Sequence, residues 1–170
     1  MKEMEIKIYG HPVLRDTAKH VENLDEETLA ELEGMLKAMY DANGVGIAAP
    51  QVGISKRMFI VDVGDGVVRY VINPEFIEMS KETMDDEEGC LSVPGIHKNV
   101  KRAAKVKIKY MNEKGEEVVE EATELLSRAF QHEYDHLEGI LFVDKISPVA
   151  KRMVSKKLQL LKKESEKNNG

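Results

Sequence analysis

Three stretches of the chain repeat hydrophobic residues at helical spacing, and the region between the first and second alternates them instead. Over 25–42, Leu29, Leu32, Leu36, Met39 and Tyr40 share a face, which predicts a helix packed into a core. Asp25 is placed to cap it, acidic residues crowd the first turn, and Asn43-Gly44 closes the end. A second helix is predicted over 124–137, with Thr123 as N-cap and Gly139 as stop. A third covers 148–163, with Val149, Met153, Val154, Leu158 and Leu161 assigned to one face. The final SEKNNG reads as a frayed end.

Between the first two helices lie β-branched segments broken by Gly, Asn and Pro: KRMFIVDVG, VVRYVINPEFIEMS and KVKIKYMNEKGEEVVEEA. Lys105 to Tyr110 alternates cleanly, and a turn over 112–115 predicts a hairpin. Before the first helix, MEIKIYG reads as a short strand and HPVLRDTAKHV as a brief helix or turn. Strands grouped between helices, without βαβ alternation, predict an α+β fold. Its mainly antiparallel sheet would pack around a central helix, flanked by an N-terminal and a C-terminal helix. At 170 residues one domain is expected, with 1–147 as its body and 148–170 as an amphipathic basic helix and tail.

Composition is that of an ordinary soluble globular protein. The start shows no apolar leader, and no run approaches the roughly 20 apolar residues of a membrane span. The single cysteine, Cys90, excludes an internal disulfide framework, so the expected address is the cytoplasm. The net charge of −6 conceals a polarity: 148–170 holds seven Lys/Arg against Glu164 and Glu166, leaving 18 basic and 29 acidic residues before it. Such a tail is either a solvated helix face or a surface for an anionic partner such as RNA.

The chemistry concentrates in FQHEYDHLEG, within the second helix. Residues four apart stack on one helical face, so His132 and His136 can present imidazole nitrogens to one metal ion. Glu133, offset by one position, suits a general base acting on water rather than a third ligand. A third histidine three residues after the glycine would complete one known pattern, but Phe142 stands there. Glu164 and Glu166 lie in the basic tail, a poor place for a buried ligand. The remaining strong donor is Cys90 in EEGCLSVPG, and one thiolate with two imidazoles leaves a coordination position open for catalysis. On ligand type alone, zinc is the expected ion.

Upstream, GVGIAAPQVG imitates a dinucleotide fingerprint, but a helix precedes it and strands follow, the reverse of what that motif needs. Gly44 and Gly46 around Val45 instead allow a substrate backbone to approach closely. Gln51 offers a neutral amide that can donate to an oxyanion.

GVGIAAPQVG, EEGCLSVPG and QHEYDHLEG, in this order, resemble the three motifs of the peptide deformylase family, and the likeness extends through INPEF, RAAKVKIKY and GILFVD. The resemblance implies a hydrolase that removes the formyl group from the N-terminal formyl-methionine of new proteins, releasing formate. It implies Cys90, His132 and His136 as metal ligands, Glu133 as acid/base, and Gln51 with the Leu91 N–H as donors to the formyl oxygen. Gly44, Val45, Gly46 and Ile47 match the strand that holds the peptide. The family's ion is Fe2+, replaceable by Ni2+, Co2+ or Zn2+.

Two positions depart from the family pattern, His97 for an arginine and Lys101 for a proline. A methionine pocket would draw on Ile47, Ile96, Leu125, Ala129 and the stem of His132. The expected partners are N-formylmethionyl nascent peptides and the ribosome, the latter through the basic helix, with no membrane and no sequence-specific nucleic acid. The competing readings are a metallopeptidase of the HExxH type and a non-catalytic, ribosome-associated metal module. Glu133 weighs against the second, because a structural site has no use for a base.

Overall fold

The computed structural model describes residues 3–168. Helix α1 (Glu26–Asp41) is followed by strands β1 (Gly46–Ala48), β2 (Met58–Val61), β3 (Arg69–Met79), β4 (Thr83–Cys90), β5 (Val93–Ala103), β6 (Lys105–Met111) and β7 (Glu117–Thr123), then helices α2 (Glu124–Leu137) and α3 (Pro148–Asn168). The strands form an antiparallel sheet in the order β1-β2-β3-β6-β7 and a separate β4-β5 hairpin. This is the expected α+β architecture.

The sheet is buried on both faces where it passes the site. Along β2, Phe59 and Val61 pack towards α2, against Ala129, Phe130 and Leu137, while Met58 and Ile60 pack towards α1, against Leu32, Met35 and Met39. Successive strand residues point to opposite faces, so MFIV reads as an unbroken apolar run because each face has its own helix. A third cluster joins α3 to the hairpin through Val154 and Leu158 against Val93, Ile96 and Val100. The helix that carries both histidines is thus held between the sheet and the hairpin.

Several expectations need correction. MEIKIYG runs extended without joining a sheet; it donates Lys7 N–H to the Gln51 carbonyl (2.7 Å) and Tyr9 N–H to the Ser92 carbonyl (2.8 Å). In α1 the buried arc is Thr28, Leu32, Met35 and Met39, and Leu29 and Tyr40 face outward, Tyr40 donating its hydroxyl to Asp62. In α3 the inner face is Val154, Leu158 and Ser165 with Leu161 beside it, whereas Val149 and Met153 are exposed. Met153 sits about 100° round the helix from Val154, which takes it off the packed side. This helix also continues past Lys163 to Asn168, so only the last two residues of the expected frayed end fall outside the described region. Thr123 occupies the N-cap of α2 but its side chain makes no cap hydrogen bond, since Glu124 adopts a left-handed φ of 54° at the junction.

Candidate metal centre

Two elements bring the donors together. Ten residues of α2 are buried, among them His132, Glu133 and His136, because the helix is covered on nearly all sides. The β4 strand ends at Cys90, where the register slips after Glu88 and Cys90 pairs with Val93 in a tight turn. The Cys90 sulfur and the two imidazoles lie with their donor atoms all within 4.8 Å of one another. Sγ of Cys90 is 3.4 Å from Nε2 of His136. Among the described residues, no other group of His, Cys, Asp and Glu donors converges in this way.

His132 is oriented by Glu88, whose carboxylate takes the Nδ1–H at 2.8 Å and leaves Nε2 for an ion. Glu88 is in turn clamped by Arg102, which donates through Nε and Nη2 at 2.8 Å each, and by Arg128. Arg102 reaches on to Asp135 of α2 at 2.6 Å, and Lys145 meets the same carboxylate at 2.9 Å. A buried charge network therefore stands behind one donor of the cluster. Burial alone would push the Glu88 carboxyl up; the hydrogen bonds from Arg102 and His132 outweigh it and hold it well below the usual carboxylate range.

Burial pushes the Glu133 carboxyl up to about 7, against the opposing pull of His132. Burial disfavours the charged form of both imidazoles, but Glu133, Cys90 and Glu88 hold His132 well above its ordinary value. Burial and the positive His132 drive His136 well below. Among the described residues, two buried side-chain atoms lack a hydrogen-bond partner, Glu133 Oε1 and His136 Nδ1. An unpaired buried carboxylate oxygen is costly, and here it lies beside three converging donors. This donor set fits a divalent transition-metal ion with Glu133 facing a water.

A cleft of about 460 Å³ opens onto the cluster, lined on one side by Gly44, Val45 and Gly46 and on the other by Glu87, Glu88, Gly89 and Leu91. A Cβ on Gly46 would sit 2.5 Å from Glu133 Oε2, so glycine is what lets β1 approach the acid. Gln51 is buried, its Oε1 accepting from Ala48 N–H at 2.9 Å and its Nε2 facing Cys90 Sγ (3.5 Å) and Ser92 Oγ (3.1 Å). Leu125, Ala129 and His132 also line the cleft. The side chains of Ile47 and Ile96 do not: they lie in the α1 and α3 clusters, because on these elements they take the positions facing the core. The motif residues thus converge, while Glu88, Arg102, Arg128 and Asp135 join them without having been foreseen. One sign was available: Arg128 precedes His132 by four residues, on the same stripe as His136.

The polypeptide deformylase family model matches residues 3–152. The peptide deformylase of Fusobacterium nucleatum is 52% identical over 165 residues, 96% of this chain and 95% of that protein. That of Thermotoga maritima is 50% identical over 153 residues, 90% of this chain and 93% of that protein. The crystal structure of the Thermotoga maritima peptide deformylase superposes with a TM-score of 0.84 at 49% identity, covering 87% of this chain and all (100%) of that one. A Plasmodium falciparum peptide deformylase superposes with a TM-score of 0.93 at 36% identity, covering 98% and 99%. With the donor cluster in place, these likenesses along nearly its whole length mean that the chain belongs to the polypeptide deformylase family.

Proposed function

We propose that the Cys90–His132–His136 cluster is the centre at which the chain hydrolyses the formyl amide of N-formylmethionyl peptides, releasing formate and a free N-terminus. The observation that carries this reading is the unpartnered Glu133 oxygen beside three donors within 4.8 Å of one another. A divalent ion held there, Fe2+ by family resemblance and replaceable by Ni2+, Co2+ or Zn2+, would supply Lewis acidity to the carbonyl and to the attacking water. Glu133 takes the proton from that water and returns it to the nitrogen as the carbon–nitrogen bond breaks. The Gln51 amide, fixed by the Ala48 N–H, and the backbone N–H of Leu91 donate to the formyl oxygen as charge develops.

The peptide lies extended against the edge strand β1, along Gly44, Val45, Gly46 and the backbone of Ile47, with β4 on its other side. Leu125, Ala129 and the ring of His132 offer apolar surface to the methionine side chain. Gly46 leaves Glu133 so close to the strand that an acetyl methyl would crowd the space a formyl hydrogen fits. We assign 1–147 to the catalytic body and 148–170 to the same domain, with α3 packing on the body through Val154 and Leu158.

The outer face of α3 joins Val149, Met153 and Leu160 to Lys156 and Lys163, a surface suited to the ribosome near emerging chains. No helix among the described residues is long and apolar enough to cross a membrane, in keeping with work in the cytoplasm. The test is anaerobic incubation with formyl-Met-Ala and, separately, with a longer blocked peptide. Formate from the first and no internal cleavage of the second is expected; the opposite outcome would mark a metallopeptidase.

A further inference from the structure

The hydroxyl of Ser92 meets the Gln51 amide from the side away from the cleft. Cys90 pairs with Val93 across a turn made of Leu91 and Ser92, so Ser92 directly follows the residue whose N–H is the other donor to the formyl oxygen. Gln51 and Cys90 line the catalytic cleft, whereas Ser92 is fully buried outside it. A side-chain amide nitrogen carries two hydrogens. The Ala48 N–H, donating to Gln51 Oε1 at 2.9 Å, decides which end of the amide is nitrogen. One hydrogen on Nε2 goes to Ser92 Oγ at 3.1 Å; the other faces Cys90 Sγ at 3.5 Å, on the cleft side. The frame that sets this spacing is main chain. Lys7 N–H donates to the Gln51 carbonyl at 2.7 Å and Tyr9 N–H to the Ser92 carbonyl at 2.8 Å, so one extended segment holds both residues. That segment is itself fastened to α3, where the Ser165 hydroxyl donates to the Ile8 carbonyl at 3.2 Å.

We propose that Ser92 is a positioning residue for deformylation, its hydroxyl accepting one Gln51 N–H so that the other is aimed at the formyl oxygen; this rests on the deformylase reading above. The last torsion of a glutamine is broad rather than staggered, so the amide plane has little intrinsic preference. A contact at Oε1 alone leaves that plane free to turn. Ala48 at the oxygen and Ser92 at the nitrogen fix it from both ends before charge develops, and a donor already fixed does not reorganise in the transition state. The formyl oxygen takes the hydrogen that faces Cys90, while the one on Ser92 stays where it is. Ser92 lies outside the cleft and acts through Gln51 alone.

The experiment is a double-variant cycle on the metal-loaded full chain with formyl-Met-Ala, joined to NMR of side-chain amides in the metal-free chain. Ser92→Ala leaves the main-chain frame standing, since both carbonyls keep their N–H donors. Its kcat is expected to fall about 10- to 30-fold with KM unchanged, because the loss falls on the transition state. In a Gln51→Ala background the same change should cost less than about twofold, the mark of one residue acting through the other. In the metal-free chain the Gln51 NH2 pair, assigned by its loss in Gln51→Ala, should shift and exchange faster with water in Ser92→Ala. An unchanged kcat, an equal cost in both backgrounds, or a Gln51 NH2 pair unmoved by Ser92→Ala overturns the proposal, while turnover by the native chain keeps the activity standing. A loaded native chain that releases no formate from formyl-Met-Ala sinks the deformylase reading and this proposal with it.

Discussion

Glu88 holds the His132 imidazole and Glu133 follows it on α2, yet the surroundings of the two carboxylates set them apart. Glu133 has a buried oxygen with no partner and a carboxyl raised to about 7 by burial; Glu88 is saturated by two arginines and His132 and stays charged. The first can move a proton, the second can only hold a ligand in place. Glu133→Gln should therefore bind its ion with near-native stoichiometry and lose at least about 10²–10⁴ in turnover, read as metal content and formate release on one preparation. Glu88→Gln should do the reverse in kind. Metal affinity, measured by competition with a chelator, should fall about 10–100-fold because His132 loses its charged acceptor and the amide NH2 must face either the imidazole or the arginines.

At the level of elements, the hairpin, α2 and the sheet are joined around the site by charge as well as by apolar packing. Arg102, almost fully buried on β5, binds Glu88 of β4 and Asp135 of α2 at once. Arg102→Ala would take a buried partner from both Glu88 and Asp135, leaving Arg128, His132 and Lys145 to hold them, an expected loss of about 3 kcal/mol in urea unfolding of the metal-free chain. A loss below about 1 kcal/mol would mean that water already serves those groups.

This connection also explains what could be read from the sequence. The HExxH spacing is local, so two imidazoles and an acid on one helix follow from the 3.6-residue repeat alone. Cys90 could be reached as the third donor of the cluster because few donors competed for the role. Glu88 and Arg102 were hidden because β4 reads TMDDEEGC: its inward face carries a carboxylate rather than an apolar residue, so no alternation marks a strand. Ile47 looked like a cleft residue because it follows the glycines, but on a strand each side chain points opposite its neighbour, and the face left to it is the one under α1. Val149 and Met153 do share a face, but it is the outer one, roughly 100° or more round α3 from Val154 and Leu158.

For the molecule as a whole, the segment before α1 is tied to the segment after α2. Arg15 binds Asp144 (2.6 Å) and the carbonyl of Gly139, fastening the segment before α1 to the end of α2. Partial burial works against the Asp144 carboxylate, but the Arg15 hydrogen bond prevails and holds its pKa below the ordinary value. A depressed folded-state pKa adds stability above the unfolded value, near about 3.9, that is lost as pH falls through the folded one. The melting temperatures of the native chain and Asp144→Asn should thus differ near neutral pH and converge in acid below about pH 4. A gap that stays constant into acid would assign the difference to packing instead.

All of this depends on one ion being held by a sulfur from β4 and two nitrogens from α2. The most direct measurement is to strip the chain of metal without oxygen, add back Fe2+ in steps, and follow formate release from formyl-Met-Ala. Activity should climb linearly and level off at about one ion per chain, with Cys90→Ala flat throughout. Full activity in the stripped chain, or a native-like rise in the Cys90 variant, would contradict the account.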